Sequence, residues 1–288
     1  MGLEEGRAWI DGLASLVGEL CDEWGLEPGV SDFSLSYNFV LAVQRGANPA
    51  VLKLGVPGAD FLREITALEV YGGEGMCAVL EEDRPRAAML LERIEPGTPL
   101  LHLGETPGAI SAAVSVMRQL RKPAPPGSGL EPLSDWWRIA QATLRERSGG
   151  STEPFPPDLV AAANEIYLEL ERETSRYVVL HGDLHHWNIL ASDRKGWLAI
   201  DPHGVLGPPE CEVGAFMMNP NNGALVRPDV RQVLSRRLDQ FAEELAFDRE
   251  QLRRVSFAYA MLSAIWSSED GGGGWKPTLD VARVLLTA

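Results

Sequence analysis

Between residues 7 and 24 apolar side chains recur at helical spacing, with Trp9, Leu13, Leu16, Val17 and Leu20 on one face. The pattern then changes. "SLSYNFVLAVQ" and "PAVLKLGV" are β-rich and flank the turn signal "RGAN", so residues 34–56 predict a hairpin. "GADFLREITALEVY" returns to helical spacing, with Phe61, Ile65 and Leu68 on one face. "CAVLEED", the turn "RP" and "RAAMLLERI" predict two more strands, and "EPGTP" closes the block with two prolines and a glycine. From there the chain is mainly helical. Helices are predicted over "AISAAVSVMRQLRK", over "LSDWWRIAQATLRER" with Ser134 as a candidate N-cap, and over "PPDLVAAANEIYLELERE". Two more follow over "RPDVRQVLSRRLDQFAEEL" and "REQLRRVSFAYAMLSAIWS", and "TLDVARVLLTA" ends the chain. The pattern divides the chain into a small antiparallel lobe over 1–92, a hinge over 93–97 and a helical lobe over 98–288. The fold class is α+β.

Composition narrows the function. The chain has 288 residues, 45% of them hydrophobic, enough for a sizeable core. A formal charge of −15 argues against nucleic acid and anionic membrane as partners, since both require a basic surface. The same charge suits a cationic small molecule, and it equally suits solubility alone. Cys21, Cys77 and Cys211 are odd in number and form no CxxC pair, which predicts a reducing compartment. The start "MGLEEGRAW" lacks the features of a signal peptide, and no apolar run approaches a membrane span. The expected location is cytoplasmic.

The chemistry concentrates in "HGDLHHWNIL", residues 181–190, which holds three of the five histidines. Asp183 and Asn188 form D-x-x-x-x-N, and Asp201 follows after a strand–turn–strand stretch ending in "LAIDPHG". Phosphoryl transfer to a hydroxyl needs this set: one carboxylate to accept the hydroxyl proton, and an Asn and a second Asp to hold Mg²⁺ against nucleotide phosphates.

"HGDLHHWNIL" followed by "LAIDPHG" resembles the catalytic loop and metal aspartate of the kinase-like aminoglycoside phosphotransferases. More narrowly it resembles the branch acting on streptomycin-type aminoglycosides, grouped with hydroxyurea phosphotransferases, where DPxG replaces the DFG of protein kinases. The resemblance implies a protein-kinase-like two-lobed fold, with Asp183 as catalytic base and Asn188 and Asp201 as Mg²⁺ ligands. It implies ATP or GTP as donor and a small-molecule hydroxyl as acceptor. A kinase-type fold also needs a strand lysine reaching the phosphates and held by a helix glutamate. Lys53, the sole lysine before residue 122, lies inside an apolar strand; Glu64 is the expected partner and Glu69 the fallback. No G-x-x-x-x-G-K-[ST] exists, which excludes a P-loop. Gly73-Glu-Gly75 follows a helix instead of a strand, the wrong order for a dinucleotide fingerprint. The turn over 31–38 is the candidate phosphate cover, through Ser34 and Ser36. "MLLERIEPG" resembles the adenine-binding hinge, with backbone groups near Glu92 and Ile94 reading the base. His181 is expected to shape the loop, and His185 or His186 to face substrate.

Acceptor binding is expected at "WSSEDGGGGWK". Glu269 and Asp270 stand at a predicted helix C-terminus, where the dipole disfavours anions, so a cationic ligand would relieve their cost. Trp266 or Trp275 would stack on it. The family carries a similar W-S-x-E-D-G segment. Two other classes stay open on sequence alone. A dinuclear metallophosphoesterase would use Asp183-x-His185 and Asp201-x-His203, but it needs more ligands than His102 can add. A non-catalytic pseudokinase normally loses the base, the metal ligands or the lysine, and all are present here.

Overall fold

The computed structural model describes residues 3–29, 38–220, 228–269 and 273–288. The amino-terminal sheet has five antiparallel strands in the order β1 (Glu27–Pro28), β2 (Phe39–Arg45), β3 (Asn48–Leu54), β5 (Ala88–Glu92) and β4 (Val79–Asp83). β2 and β3 form the expected hairpin, with Arg45 opposite Asn48. The two-residue period of a strand sends alternate side chains to opposite faces. Ala50, Leu52 and Leu54 of β3 and Ala88 and Leu90 of β5 pack under α1 (Leu3–Trp24), whose Trp9, Leu13, Leu16, Val17 and Leu20 cover that face. Met89 and Leu91 point the other way, into the main core with Phe61, Ile65 and Leu68 of α2 (Ala59–Tyr71). The sheet is therefore sandwiched between two helices.

The chain then enters the helical part. The expected hinge, 93–97, runs into β6 (Pro96–Pro99), which pairs with β9 (Ile189–Ser192). Asp193 N–H also donates to the Glu95 carbonyl at 2.8 Å. The helices are α3 (Pro107–Leu120), α4 (Leu133–Arg147), α5 (Pro157–Leu170), α6 (Val213–Met217), α7 (Val230–Leu245), α8 (Arg249–Ser267) and α9 (Trp275–Leu286). Pro132, not Ser134, precedes the first turn of α4; Ser134 is buried inside the helix. α9 begins at Trp275, three residues before the predicted "TLDVARVLLTA". The middle of α8 is buried on every side, from Val255 through Phe257 and Met261 to Leu262, with Leu252 and Ile265 buried beyond it, as a helix central to a bundle must be. Among the described residues no helix is long and apolar enough to cross a membrane.

Two small antiparallel sheets position the loops of interest. β9 pairs with β10 (Gly196–Ala199), and β8 (Val178–Leu180) pairs with β11 (Val205–Gly207) and the short β7 (Lys122–Pro123). The loop over 181–188 thus leaves β8 and enters β9, and the loop over 200–204 leaves β10 and enters β11. Paired strands at both ends force the two loops side by side. Ile200 N–H donates to the Asn188 carbonyl at 3.0 Å, and His203 N–H to the His181 carbonyl at 2.8 Å.

Candidate active site

Lys53 sits on the α2 face of β3, opposite Met89, and only 3% of it is exposed. A buried ammonium needs compensation. Its Nζ donates to Glu64 Oε1 at 2.5 Å and to Asp201 Oδ1 at 3.1 Å. Burial works against the charge, but the two carboxylates overcome it and hold the Lys53 pKa above its ordinary value. Glu64 faces the sheet because it stands three residues after Phe61 on the buried side of α2. Glu69, the fallback partner, is on the surface and pairs with Arg84 at 2.5 Å.

Asp201 is reached through a backbone in the left-handed region, φ 57°, uncommon for a residue with a Cβ. Its side chain is 51% exposed, so Lys53 holds one oxygen while the other side faces open space. Gly204, at φ +69°, closes this loop against α2: a Cβ there would lie 2.7 Å from the Arg63 carbonyl oxygen. The glycine of DPHG is therefore a close-approach position that ties Asp201 to the helix carrying Glu64.

The 181–188 loop is held from within. The neutral His181 ring donates from Nε2 to the Ile200 carbonyl at 2.8 Å and accepts the Asp183 N–H at Nδ1, 3.2 Å. Burial drives its pKa down to about 3, which keeps this tautomer uncharged. Asn188 Nδ2 donates to the Asp183 carbonyl at 3.0 Å, and Asn188 N–H to the His185 carbonyl at 2.9 Å. Burial pushes the Asp183 carboxyl up to about 6; His203 pulls it down and Asp201 pushes it up by smaller amounts. His185 Nε2 lies 3.4 Å from Asp183 Oδ2, and burial lowers the His185 pKa to about 4. His186 turns inward instead, stacked on Phe216 with ring centroids 4.0 Å apart. Trp187 stays 49% exposed on the same loop.

Two anchors of this loop carry no sequence motif of their own. Glu212, buried beneath it, accepts the backbone N–H of His181 at 2.9 Å and of Gly182 at 3.4 Å. Burial raises its carboxyl to about 7, and the two amide donors work against that rise. Its only signal was a glutamate set in the apolar run "CEVGAF". Tyr259 of α8 donates to the Gly182 carbonyl at 2.8 Å.

The acceptor-side residues divide. Trp266 packs on Trp136, centroids 5.3 Å apart, and Trp136 meets His203 edge-on at 5.7 Å. That ring series reaches the loops of Asp183 and Asp201, since a Cβ on Gly182 would touch both Trp136 and His203. Trp275 is turned to Phe155, 5.1 Å away. Glu269 is exposed at the end of α8, its N–H bonded to the Trp266 carbonyl at 2.9 Å. Arg147 donates to the Ser268 carbonyl at 2.6 Å, placing a guanidinium at this helix end. Ser34, Ser36 and Asp270 lie outside the described residues. Glu92 N–H is committed to the Ala78 carbonyl at 2.8 Å and its carboxylate to Ala78 N–H and Arg194, so its N–H is not open to a base; Ile94 has a buried side chain beyond the strand end. Among the described residues no group of three His, Cys, Asp or Glu side chains is placed to hold a metal ion, which a dinuclear phosphoesterase requires.

Known proteins share this fold. Solved structures with the same fold include a choline/ethanolamine kinase family protein from Mesorhizobium loti, TM-score 0.66 at 14% identity, covering 100% of this chain and 96% of that one. Another is a thermostable aminoglycoside phosphotransferase mutant in ternary complex with ADP and hygromycin B, TM-score 0.63 at 14% identity, covering 93% and 97%. In sequence, the streptomycin 6-kinase of Streptomyces glaucescens is 33% identical, over 98% of this chain and 91% of the relative. The hydroxyurea phosphotransferase of Kitasatospora aureofaciens is 28% identical, over 98% and 81%. The family model "Aminoglycoside/hydroxyurea antibiotic resistance kinase" matches residues 23–271, spanning the strand lysine, both loops and α8. With the family model matching most of its length and relatives similar over nearly all of it, the chain belongs to the aminoglycoside/hydroxyurea antibiotic resistance kinase family.

Proposed function

We propose that the protein transfers the γ-phosphoryl group of ATP to a hydroxyl of a small cationic molecule, an aminoglycoside of streptomycin type. The single observation that carries the reading is Lys53 bridging Glu64 and Asp201 beside the loop of Asp183 and Asn188. It joins a strand, a helix and the loop after β10 at one charged point, which has no use in a packed core. Residues 1–92 then serve as the nucleotide lobe, with the adenine read near Ile94 and phosphates covered by Ser34 and Ser36, and residues 98–288 carry base and acceptor.

Asp183 accepts the proton of the acceptor hydroxyl as its oxygen forms a bond to the γ-phosphorus, and the bond to the β-phosphate oxygen breaks to release ADP. Asp183 is ionised above about pH 6, so it is competent near neutrality. Asn188 orients the base through the Asp183 carbonyl; with Nδ2 spent there, its Oδ1 is free. That oxygen and the half-exposed Asp201 carboxylate are hard donors suited to Mg²⁺, which takes one or two protein ligands and completes its shell with phosphates. Bound there, Mg²⁺ would neutralise charge on the phosphates. Lys53, oriented by Glu64, would neutralise the phosphates that are not transferred. His185 beside Asp183, with Trp266 and the acids Glu269 and Asp270 further out, would bind the acceptor. The relatives named for streptomycin and the overall charge of −15 both favour a cationic acceptor.

The test is a panel of streptomycin, other aminoglycosides, hydroxyurea and choline with purified protein, ATP and Mg²⁺, read by acceptor-dependent ADP release. Streptomycin should give the highest kcat/KM. Turnover of hydroxyurea alone would shift the assignment within the family. Nucleotide-dependent thermal stabilisation without any product would favour a binding module.

A further inference from the structure

α8 is buried without a break from Val255 to Leu262, and Tyr259 stands in the middle of that run between Ala258 and Ala260, with Phe257, Met261 and Leu262 nearby. A hydroxyl in such a place costs free energy unless it is bonded, and phenylalanine would fill the same space without that cost. The hydroxyl of Tyr259 donates to the Gly182 carbonyl at 2.8 Å. Burial first, and then the nearby charges of Asp183 and Glu212, hold its pKa well above the ordinary value, so it remains a donor.

The bonded carbonyl belongs to the peptide unit that joins Gly182 to Asp183. The N–H of that same unit donates to His181 Nδ1 at 3.2 Å. Both polar ends of the plane are therefore fixed, one by a residue of the loop and the other by a helix distant in sequence. The Gly182 Cα is held as well: φ is +84°, and a Cβ would lie 2.9 Å from the Trp136 ring and 3.1 Å from Val205. The ring of Tyr259 cannot slide away either, because it packs on Gly214 of α6, where a Cβ would come within 2.6 Å of it. Rotation of this peptide plane swings the Cα–Cβ bond of Asp183, and displacements of about 1 Å at a reacting group cost on the order of 100-fold in rate.

We infer that Tyr259 is a positioning residue, whose hydroxyl fixes the Gly182–Asp183 peptide so that the Asp183 carboxylate is aimed at the acceptor hydroxyl. The inference rests on the reading of Asp183 as base. It does not extend to substrate contact, since Tyr259 is buried behind the loop.

The experiment is Tyr259→Phe, alone and combined with Asp183→Ala, measured with ATP, Mg²⁺ and streptomycin. The phenylalanine variant keeps the ring on Gly214 and removes one hydrogen bond. Its kcat should fall about tenfold, while streptomycin KM and ATP Kd stay within about twofold. In the Asp183→Ala background the same substitution should have no further effect, because no base is left to aim. Gly214→Ala, which displaces the ring but keeps the hydroxyl, is the second variant and should reproduce the selective fall in kcat. Wild-type kcat in Tyr259→Phe overturns the inference. So does a loss that multiplies with that of Asp183→Ala, or one spread equally over kcat, KM and ATP Kd. Wild-type turnover in Asp183→Ala, or none by the unaltered enzyme, would instead defeat the functional reading.

Discussion

Removal of Lys53 has a cost that the structure allows to be worked out. In Lys53→Ala the Glu64 carboxylate stays behind, buried, without the ammonium that lay 2.5 Å away. Breaking a buried pair from one side costs about 3–5 kcal/mol, most of it the penalty for the orphaned charge. Glu64 can escape part of that penalty by taking up a proton, because burial pushes its carboxyl upward and the opposing pull of Lys53 is gone. The sign follows. A carboxyl whose folded pKa is raised adds stability below its unfolded value, and that stability is lost as pH rises through the folded value. Lys53→Ala should therefore lose more stability at about pH 8 than at about pH 5. Adding Glu64→Gln removes the orphan and should recover part of the loss, roughly 1–3 kcal/mol at about pH 8. Urea unfolding at both pH values reads this as shifts in midpoint at constant m-value. A cost below about 1 kcal/mol, equal at both pH values and unaltered by Glu64→Gln, would show that Lys53 is not held as described.

Three further outcomes follow from the site. The kcat/KM of the wild type should fall on the acid side with an apparent pKa near 6, because Asp183 must be ionised to accept a proton; a pH–rate profile flat to about pH 4.5 would refute this. Asn188→Ala and Asp201→Ala should each raise the Mg²⁺ concentration needed for half-maximal turnover, and Asp201→Ala should also weaken ATP binding by freeing Lys53; unchanged Mg²⁺ titrations would remove both residues from the metal site. Glu269→Gln with Asp270→Asn should raise streptomycin KM by severalfold at low salt and less at high salt, with ATP Kd unchanged, and equal KM at both salts would leave these acids as surface charge.

What the chain disclosed in advance were features written in local pattern. α8 spans the very residues, Arg249–Ser267, that its periodicity marks, because its apolar positions keep helical spacing into a fully buried middle and Asp248 caps its start. The β2–β3 hairpin and the face of α2 were equally legible, and Lys53 betrayed its pairing because an unpaired charge in "AVLKLGV" would be too costly. Its choice of Glu64 over Glu69 follows from the face of α2, on which Glu64 shares the buried stripe with Phe61 and Leu68. Features set by distant contacts were not legible. Residues 96–99 read as a turn-rich connector and become β6 only because β9 arrives beside them. Glu212 and Tyr259 belong to no motif, and their roles appear only when α6 and α8 are packed beneath the loop. Arg147, more than a hundred residues earlier, reaches the end of α8 through the Ser268 carbonyl, a contact no local pattern announces.

The central claim, that Asp183 is the base of a phosphoryl transfer carried out on a bound nucleotide, is tested most directly by Asp183→Asn. The substitution keeps the shape of the side chain and removes its capacity to take the proton. ATP affinity, measured by calorimetry with Mg²⁺ present, should stay within about twofold of wild type, while streptomycin-dependent ADP release falls by at least ~10²-fold. Turnover close to wild type with ATP binding intact would contradict the account.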